Sequence, residues 1–117
     1  MCQFFDIQAS GENQDPNGVP AQIQIFGRVT LDCETVHVLV VNDQGDVIFD
    51  DTVFPESVTI PFNGVSTHSV RATFDNTSPP IECDDRLTVT LRCTHDDNCK
   101  LEDTVELQCK HRPPDDL

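Results

Sequence analysis

Residues 83–109 have the sequence CDDRLTVTLRCTHDDNCKLEDTVELQC, which holds four of the six cysteines in the chain. Apolar side chains alternate with polar ones over 86–93 and again over 104–109. A period of two is the pattern of a β-strand with one buried face. The stretch therefore predicts an antiparallel hairpin whose two strands are joined by a loop over 94–103, with Cys99 in that loop.

Six cysteines in 117 residues is an even number, and in a secreted domain it indicates three disulfides. Cys93 and Cys99 flank five loop residues, and a bridge across so short a loop is sterically easy. The predicted hairpin also brings Cys109, at its end, near Cys83, which precedes its first strand. The remaining two would tie the first strand to the end of the second. The predicted pairs are Cys2–Cys33, Cys83–Cys109 and Cys93–Cys99.

The rest of the chain shows further short segments with strand patterning, separated by turn signals, and no amphipathic-helix spacing. The predicted strands cover 3–9, 21–33, 35–41, 47–53, 57–62, 67–75, 86–93 and 104–109. This pattern predicts an all-β fold of seven to eight strands, an antiparallel two-sheet sandwich stapled by disulfides. A closed barrel is the alternative. The architecture would be immunoglobulin-like or fibronectin-III-like only in outline, since the chain has no Trp and no Tyr.

Three segments of this pattern carry more specific expectations. In the first strand, Phe5, Ile7 and Ala9 share the face expected to be buried. Gly27, in the middle of the second strand, is expected to mark a bulge or a bend. The nearly all-apolar segment 35–41 is expected to form a central strand covered on both faces.

The length predicts a single sandwich domain over residues 1–117. Within it, residues 1–20 are expected to form an N-terminal strand followed by a flexible, turn-rich loop. The cysteine-rich hairpin occupies 83–109, and residues 111–117 form a polar tail.

The formal net charge of −14 comes from 21 acidic and 7 basic residues. Such a field repels phosphate backbones and argues against binding to nucleic acid. It is compatible with a basic partner, with calcium, with life in high salt, or simply with a soluble surface. No apolar run is long enough to span a bilayer, and no secretory signal is present. We expect a mature extracellular or cell-surface form that carries an added initiator Met; the alternative is a cytosolic protein with reduced thiols.

We expect no cofactor, although the acidic loops offer ligands for calcium. The turn 42–46 and the loop of the final hairpin supply paired carboxylates, and calcium needs six to eight oxygen ligands. The candidate ligands are Asp43, Asp46, Asp96 and Asp97. No stretch completes an EF-hand pattern, so hairpin turns with solvated carboxylates are the simpler interpretation.

Zinc is a second metal hypothesis, because a Cys-x-His pattern occurs twice. Cys93 is followed by His95, Cys109 by His111, and Cys99 lies close to the first pair. Thiolate and imidazole ligands suit zinc, but the usual two-residue spacing between cysteines is absent.

Catalytic signatures are absent from the sequence. His37 and His68 lie on predicted strands, and no serine has the context of a nucleophile elbow. We therefore expect a non-enzymatic protein. Asn76, in the tripeptide Asn-Thr-Ser, is a formal glycosylation sequon in a predicted loop.

Three functions follow from these observations. The first is a secreted or cell-surface module for macromolecular interaction or structural assembly, whose partner is another protein. The second is a self-assembling subunit of an extracellular fibre, sheath or surface layer, in which the N-terminal strand 2–9 pairs with the sheet edge of a second copy. The third is a calcium- or zinc-binding domain.

Overall fold

The computed structural model describes residues 1–56 and 59–109, and within these ranges the regular secondary structure is all β-strand. The prediction of an all-β fold is therefore confirmed. The eight strands are β1 (Phe4–Gln14), β2 (Pro20–Thr30), β3 (Val36–Val41), β4 (Val47–Val53), β5 (Thr59–Phe62), β6 (Val65–Asp75), β7 (Arg86–Cys93) and β8 (Asp96–Cys109). The predicted start of the fifth strand at 57–58 and the predicted tail at 111–117 lie outside the described residues.

The strands form one hydrogen-bonded sheet in the order β4-β3-β7-β8-β1-β2-β6-β5. All neighbours are antiparallel except β1 and β8, which run parallel from Ala9↔Leu107 to Gly11↔Cys109. The expectation of a purely antiparallel sheet is wrong for this pair. It fails because β8 extends beyond the start of its partner β7, whose last pair is Arg86↔Glu106, and then runs alongside β1 in the same direction.

Side chains from the two halves of this sheet meet in one core. Phe49 of β4 stacks on Phe74 of β6 with ring centroids 4.8 Å apart. Gly27 of β2 faces Leu91 of β7 so closely that an added Cβ would lie 2.5 Å from a Leu91 methyl. Apolar burial of this kind contributes about 1.5–3 kcal/mol for each large side chain. The largest fully buried apolar side chains are Ile23, Ile25, Val29, Val36, Val38, Val40, Val70, Leu87, Val89, Leu91 and Leu107.

A bulge in β1 changes which of its side chains face this core. Asp6 has a φ of 65°, and the register passes from Phe5↔Arg28 directly to Gln8↔Phe26. Two residues of β1 thus oppose Gly27, as in a β-bulge. The bulge expected at Gly27 lies on the neighbouring strand, and the predicted inward position of Phe5 is wrong. The inward residues are Phe4, Ile7 and Ala9.

The predicted flexible loop over 10–20 is largely strand. β1 continues to Gln14, which pairs with Pro20, and only residues 15–19 turn the chain. Asp15 organises this turn, because its Oδ1 accepts hydrogen bonds from the backbone N–H groups of Asn17 and Val19, both at 2.9 Å. The expectation failed because this end of β1 carries polar residues and glycine, which hide its strand pattern.

The same explanation applies to β8, which begins at Asp96 rather than at 104. The predicted loop 94–103 is therefore wrong, and the chain reverses within two residues. Polar side chains dominate the first half of β8, but Cys99 and Leu101 continue the inward alternation of Val105 and Leu107. That alternation, interrupted by Asp103, is the signal that could have revealed the longer strand.

Strand β3 is central, as predicted, with β4 on one side and β7 on the other. Its burial alternates: Val36, Val38 and Val40 are fully buried, whereas the residues between them are half-buried. The predicted cover is therefore complete on one face and partial on the other. The predicted hairpin turn follows it, closed by a hydrogen bond from Asn42 N to Asp46 O at 2.9 Å, with Gly45 at a φ of 88°.

Three disulfides close the structure, and they pair Cys2 with Cys99, Cys33 with Cys93, and Cys83 with Cys109. The last pair is the predicted one. The pairs Cys2–Cys33 and Cys93–Cys99 are wrong, because Cys99 lies within the ladder of β8 and not in a loop free to fold back. The four cysteines do come together, but with exchanged partners.

Candidate functional site

A groove opens where β8 separates from β1. Among the described residues the two strands pair from Ala9↔Leu107 to Gly11↔Cys109, and β8 before Leu107 pairs with β7 instead. Toward the bulge in β1 the strands therefore diverge. The resulting groove has a volume of about 650 Å³.

The groove combines apolar and polar side chains from four strands. Ile7 and Ala9 are almost fully buried and form its floor, and Phe26 and Val105 add apolar surface. The polar side chains at its rim are Gln8, Ser10, Gln24, Arg71, Glu106 and Gln108. An apolar concavity with a few hydrogen-bonding groups is the usual form of a binding site.

Arg71 is held in a fixed position at this rim. Its Nε lies 3.2 Å from Glu56 Oε2, and its Nη1 donates to Gln24 Oε1 at 3.3 Å. The guanidinium also lies 5.0 Å from the centroid of the Phe26 ring. A cation over an aromatic face contributes about 0.5–1 kcal/mol at an exposed site, so these three contacts together favour this position of the Arg71 side chain.

A row of aromatic and guanidinium groups continues from the groove across the outer face of the sheet. Arg28 lies 5.6 Å from the Phe26 centroid and 5.2 Å from that of Phe62. Phe62 in turn lies 5.1 Å from Phe5. The bulge in β1 produces this row, since it turns Phe5 outward and places Asp6 Oδ2 3.4 Å from Arg28 Nε. Sequence patterning missed the row because a bulge at a non-glycine residue has no clear sequence signal.

The predicted calcium ligands are not brought together. Asp43 and Asp46 lie in the β3–β4 turn, beyond the last residue of β3. Asp96 and Asp97 lie where β8 begins, beside Cys93, which pairs with Val36 at the first residue of β3. The length of β3 separates the two ends, about 17–20 Å at the usual rise per residue. Asp97 is bound by Arg92 Nη1 at 2.9 Å. The hypothesis of one shared site for these four carboxylates is wrong.

The two Cys-x-His elements are also separate. Cys93 is bonded to Cys33, and exposed His95 lies in the turn after β7. Cys109 lies at the other end of β8, bonded to Cys83, and His111 is outside the described residues. The predicted zinc ligand set is therefore not assembled as the spacing suggested.

A different group of possible metal ligands does assemble, and it consists of cysteines. The Sγ atoms of Cys2, Cys33 and Cys93 all lie within 4.8 Å of one another, and Cys99 is bonded to the first of these. A second cavity, of about 470 Å³, opens beside them and is lined also by Asp32 and by the turn after β7.

Asp32 is the carboxylate beside this sulfur cluster. The Thr30 hydroxyl donates to its Oδ1 at 2.6 Å, and the amino group of Met1 lies 3.3 Å away. The hydrogen bond from Thr30, with a smaller contribution from the amino group, lowers the pKa of Asp32 below its ordinary value of 3.8.

The two histidines on predicted strands both lie outside the groove. His37 Nε2 hydrogen-bonds to Asp50 across the β3–β4 pair, and His68 lies on β6. Neither histidine lines the groove, where Ser10 donates its hydroxyl hydrogen to Glu12 at 2.7 Å.

Asn76 holds the loop after β6 together. Its Nδ2 donates to the carbonyls of Pro20 and Ile81 at 2.7 and 2.9 Å. Its Oδ1 accepts from the N–H groups of Thr77 and Ile81 at 2.8 and 2.9 Å. Both amide hydrogens are thus in use, whereas a glycan would replace one of them. This geometry argues against glycosylation of the folded chain at this sequon.

No protein-family model matches the sequence, and no curated protein is significantly similar to it. Among solved structures, the fold is similar to part of a β-glucuronidase from Bifidobacterium dentium, determined in complex with coumarin-3-O-glucuronide. The TM-score is 0.58, the sequence identity 14%, and the match covers 91% of this chain and 17% of that one. At this identity the similarity shows the fold alone.

No helix in the described part of the chain is long and apolar enough to cross a membrane.

Proposed function

We propose that the chain is a non-enzymatic, extracellular or cell-surface module that binds another protein through the groove between β1 and β8. The observation that carries this proposal is the groove itself. It has an apolar floor, a rim of amide side chains, and an arginine held in place before binding.

A sandwich of immunoglobulin-like outline is the finer form of the fold that we propose. The strand order divides into β4-β3-β7-β8 and β1-β2-β6-β5, and β8 joins the two groups. The close approach of Gly27 and Leu91 and the bond between Cys33 and Cys93 support facing layers.

An extracellular location is supported by the three disulfides, because such bonds persist in oxidising compartments and are rare in the cytosol. A binding role is favoured over catalysis by the lining of the groove. Glu106 is its only carboxylate among the described residues, and no histidine or cysteine faces it as a nucleophile or base.

The partner that fits this groove presents an apolar side chain flanked by basic residues. The apolar group would cover Phe26 and Val105, and the glutamine side chains would hydrogen-bond the partner's backbone. The net charge of −14 would steer a basic protein toward the module and raise its association rate.

The fibre hypothesis receives less support from the arrangement of strands. β1 lies between β8 and β2 within the same chain, so it could join another copy only by leaving its own sheet. The two edge strands carry features that oppose edge-to-edge pairing, namely Asp50 and Asp51 in β4 and Pro61 in β5. These features favour a single-chain module.

A displayed random-peptide library, selected against the oxidised protein, tests the proposal. We expect enriched peptides to combine an apolar residue with Lys or Arg. They should bind the double variant Gln8→Arg/Gln108→Arg at least tenfold more weakly, since both substitutions put positive charge at the rim. The matched control is Gln3→Arg/Gln44→Arg, which changes two exposed glutamines outside the groove.

Equal binding to both double variants, or no enrichment, would contradict the groove as the binding site. Sedimentation of the wild type at several concentrations gives the second readout. A single species with the mass of one chain is expected, and large assemblies would favour the fibre hypothesis.

A further inference from the structure

The four cysteines of the two neighbouring disulfides come from four separate parts of the chain. Cys2 precedes β1, Cys33 follows β2, Cys93 ends β7 and Cys99 lies near the start of β8. Cys93 and Cys99 are held by the pairing of β7 with β8, and Cys2 and Cys33 lie within three residues of the ends of β1 and β2. Three of the four side chains are at most 4% exposed.

The spacing of these sulfurs suits a metal ion as well as two disulfides. In a tetrahedral zinc site with Zn–S bonds of about 2.3 Å, neighbouring sulfurs lie about 3.8 Å apart. The Sγ atoms of Cys2, Cys33 and Cys93 already lie within 4.8 Å of one another. Small rotations about the Cα–Cβ bonds would bring reduced side chains to that distance without moving a strand.

Access to the cluster is also present. Three of its members, Cys2, Cys93 and Cys99, line the cavity of about 470 Å³ that opens to solvent between the turn after β7 and the segment around Asp32. A reductant and an ion could enter by this route, and Asp32 would attract the cation.

We propose that the reduced form of the protein binds one zinc ion through the thiolates of Cys2, Cys33, Cys93 and Cys99. A dithiol reductant supplies two electrons and two protons to each disulfide and is itself oxidised to a disulfide. The four thiols then bind Zn²⁺ and release four protons, which leaves a tetrathiolate complex of charge −2. The same cluster thus staples the fold in an oxidising compartment and binds zinc in a reducing one.

The third disulfide supplies an internal control, because it lies at the opposite end of the sheet. Cys109 Sγ lies close to Gly11 and Cys83 Sγ close to the Gly18 carbonyl. These two cysteines cannot join the cluster, and their replacement leaves all four proposed ligands in place.

The experiment uses wild type, Cys83→Ala/Cys109→Ala and Cys33→Ala/Cys93→Ala, each reduced with a dithiol, incubated with Zn²⁺ and passed through gel filtration. Native mass spectrometry then counts bound zinc. We expect one ion per chain in the first two proteins and none in the third. Oxidised wild type should also bind none. Reduced wild type should melt at a higher temperature with zinc than without it, because the folded chain holds the four thiolates together and binds the ion more tightly than the unfolded chain does.

Substitution of Co²⁺ for zinc gives a readout of the ligand set. The intense visible absorption of tetrahedral cobalt thiolate is expected for Cys83→Ala/Cys109→Ala, and only weak octahedral absorption for Cys33→Ala/Cys93→Ala. Failure of reduced Cys83→Ala/Cys109→Ala to retain zinc, whether it is folded or unfolded, would overturn the proposal. Equal retention by the two double variants would overturn it as well.

Discussion

The two ends of the sheet are closed by different means. At one end, which we call the sulfur end, Cys2–Cys99 and Cys33–Cys93 lie side by side between the N-terminal segment, the β2–β3 connection and the β7–β8 turn. At the other, which we call the loop end, one disulfide acts together with the side-chain amide of Asn76. The first relies on covalent cross-links buried in the core. The second relies largely on hydrogen bonds that hold an irregular loop.

The difference follows from what each end must connect. At the sulfur end short segments bring buried side chains together, so apolar sulfur can fill the space. At the loop end residues 76–85 cross from β6 to β7, and their backbone groups need partners. The Asn76 side chain meets three of those needs, at Thr77 N and at the N–H and carbonyl of Ile81, and ties the loop to the Pro20 carbonyl of β2. Asp84 N and Leu107 N complete the contact, donating to the carbonyls of Leu107 and Asp85, both at 2.8 Å.

Removal of one disulfide at each end should give the largest losses of unfolding free energy and show which end contributes more to stability. By loop-closure entropy, Cys33→Ala/Cys93→Ala, which opens a separation of 60 residues, costs about 4 kcal/mol of unfolding free energy. Cys83→Ala/Cys109→Ala, with a separation of 26, costs about 3.5 kcal/mol. Loss of buried sulfur adds to the first value. Urea unfolding of the oxidised variants measures both, and a larger loss at the loop end would reverse the ranking.

Asn76→Ala tests how much the side-chain hydrogen bonds of Asn76 contribute to stability at the loop end. Four hydrogen bonds disappear, and at about 1 kcal/mol each, partly recovered by water, we expect a loss of about 2–3 kcal/mol. Asn76→Asp is the matched control, because it keeps both accepting interactions and loses both donations, and its loss should be intermediate. Equal stability of Asn76→Ala and wild type in urea would show that the loop needs no such anchor.

The smallest effect is expected at Asp32, beside the sulfur end. Its pKa is lowered in the folded protein, so the ionised carboxylate stabilises the fold above the unfolded-state pKa. This contribution is lost as the pH falls through the lowered value. Because the side chain is 48% exposed, Asp32→Asn should cost less than about 1 kcal/mol at pH 7. The cost should vanish in strong acid, as measured by urea unfolding at both pH values. A cost that persists there would assign the effect to packing.

Much of the fold was predictable, because apolar alternation is local. Leu87, Val89 and Leu91 all face the core as their spacing indicates. Because the cysteines lie at or near strand ends, the sequence also predicted that they lie close together and that Cys83 pairs with Cys109. The exchange of partners among the other four did not, because it depends on how strands distant in sequence are stacked.

The groove was not predictable from the sequence for a related reason. It exists because β8 pairs with β7 before Leu107 and joins β1 only from Leu107 onward, and because Asp6 adopts a positive φ. The first is a property of sheet order and the second of one residue's backbone. Neither changes the period-two pattern on which the strand predictions rest.

The most direct test of this account is a disulfide map of the untreated protein, digested without reductant at a mildly acidic pH that limits disulfide exchange while the proteases remain active. Trypsin, together with a protease that cleaves before aspartate, separates Cys93, in peptide 93–95, from Cys99, in peptide 97–100. The same cleavages place Cys2 in peptide 1–5 and Cys33 in peptide 32–42. We expect peptide 97–100 to be linked to 1–5, and peptide 93–95 to 32–42. Peptide 1–5 linked to 32–42, with 93–95 joined to 97–100, would contradict the account of the sulfur end.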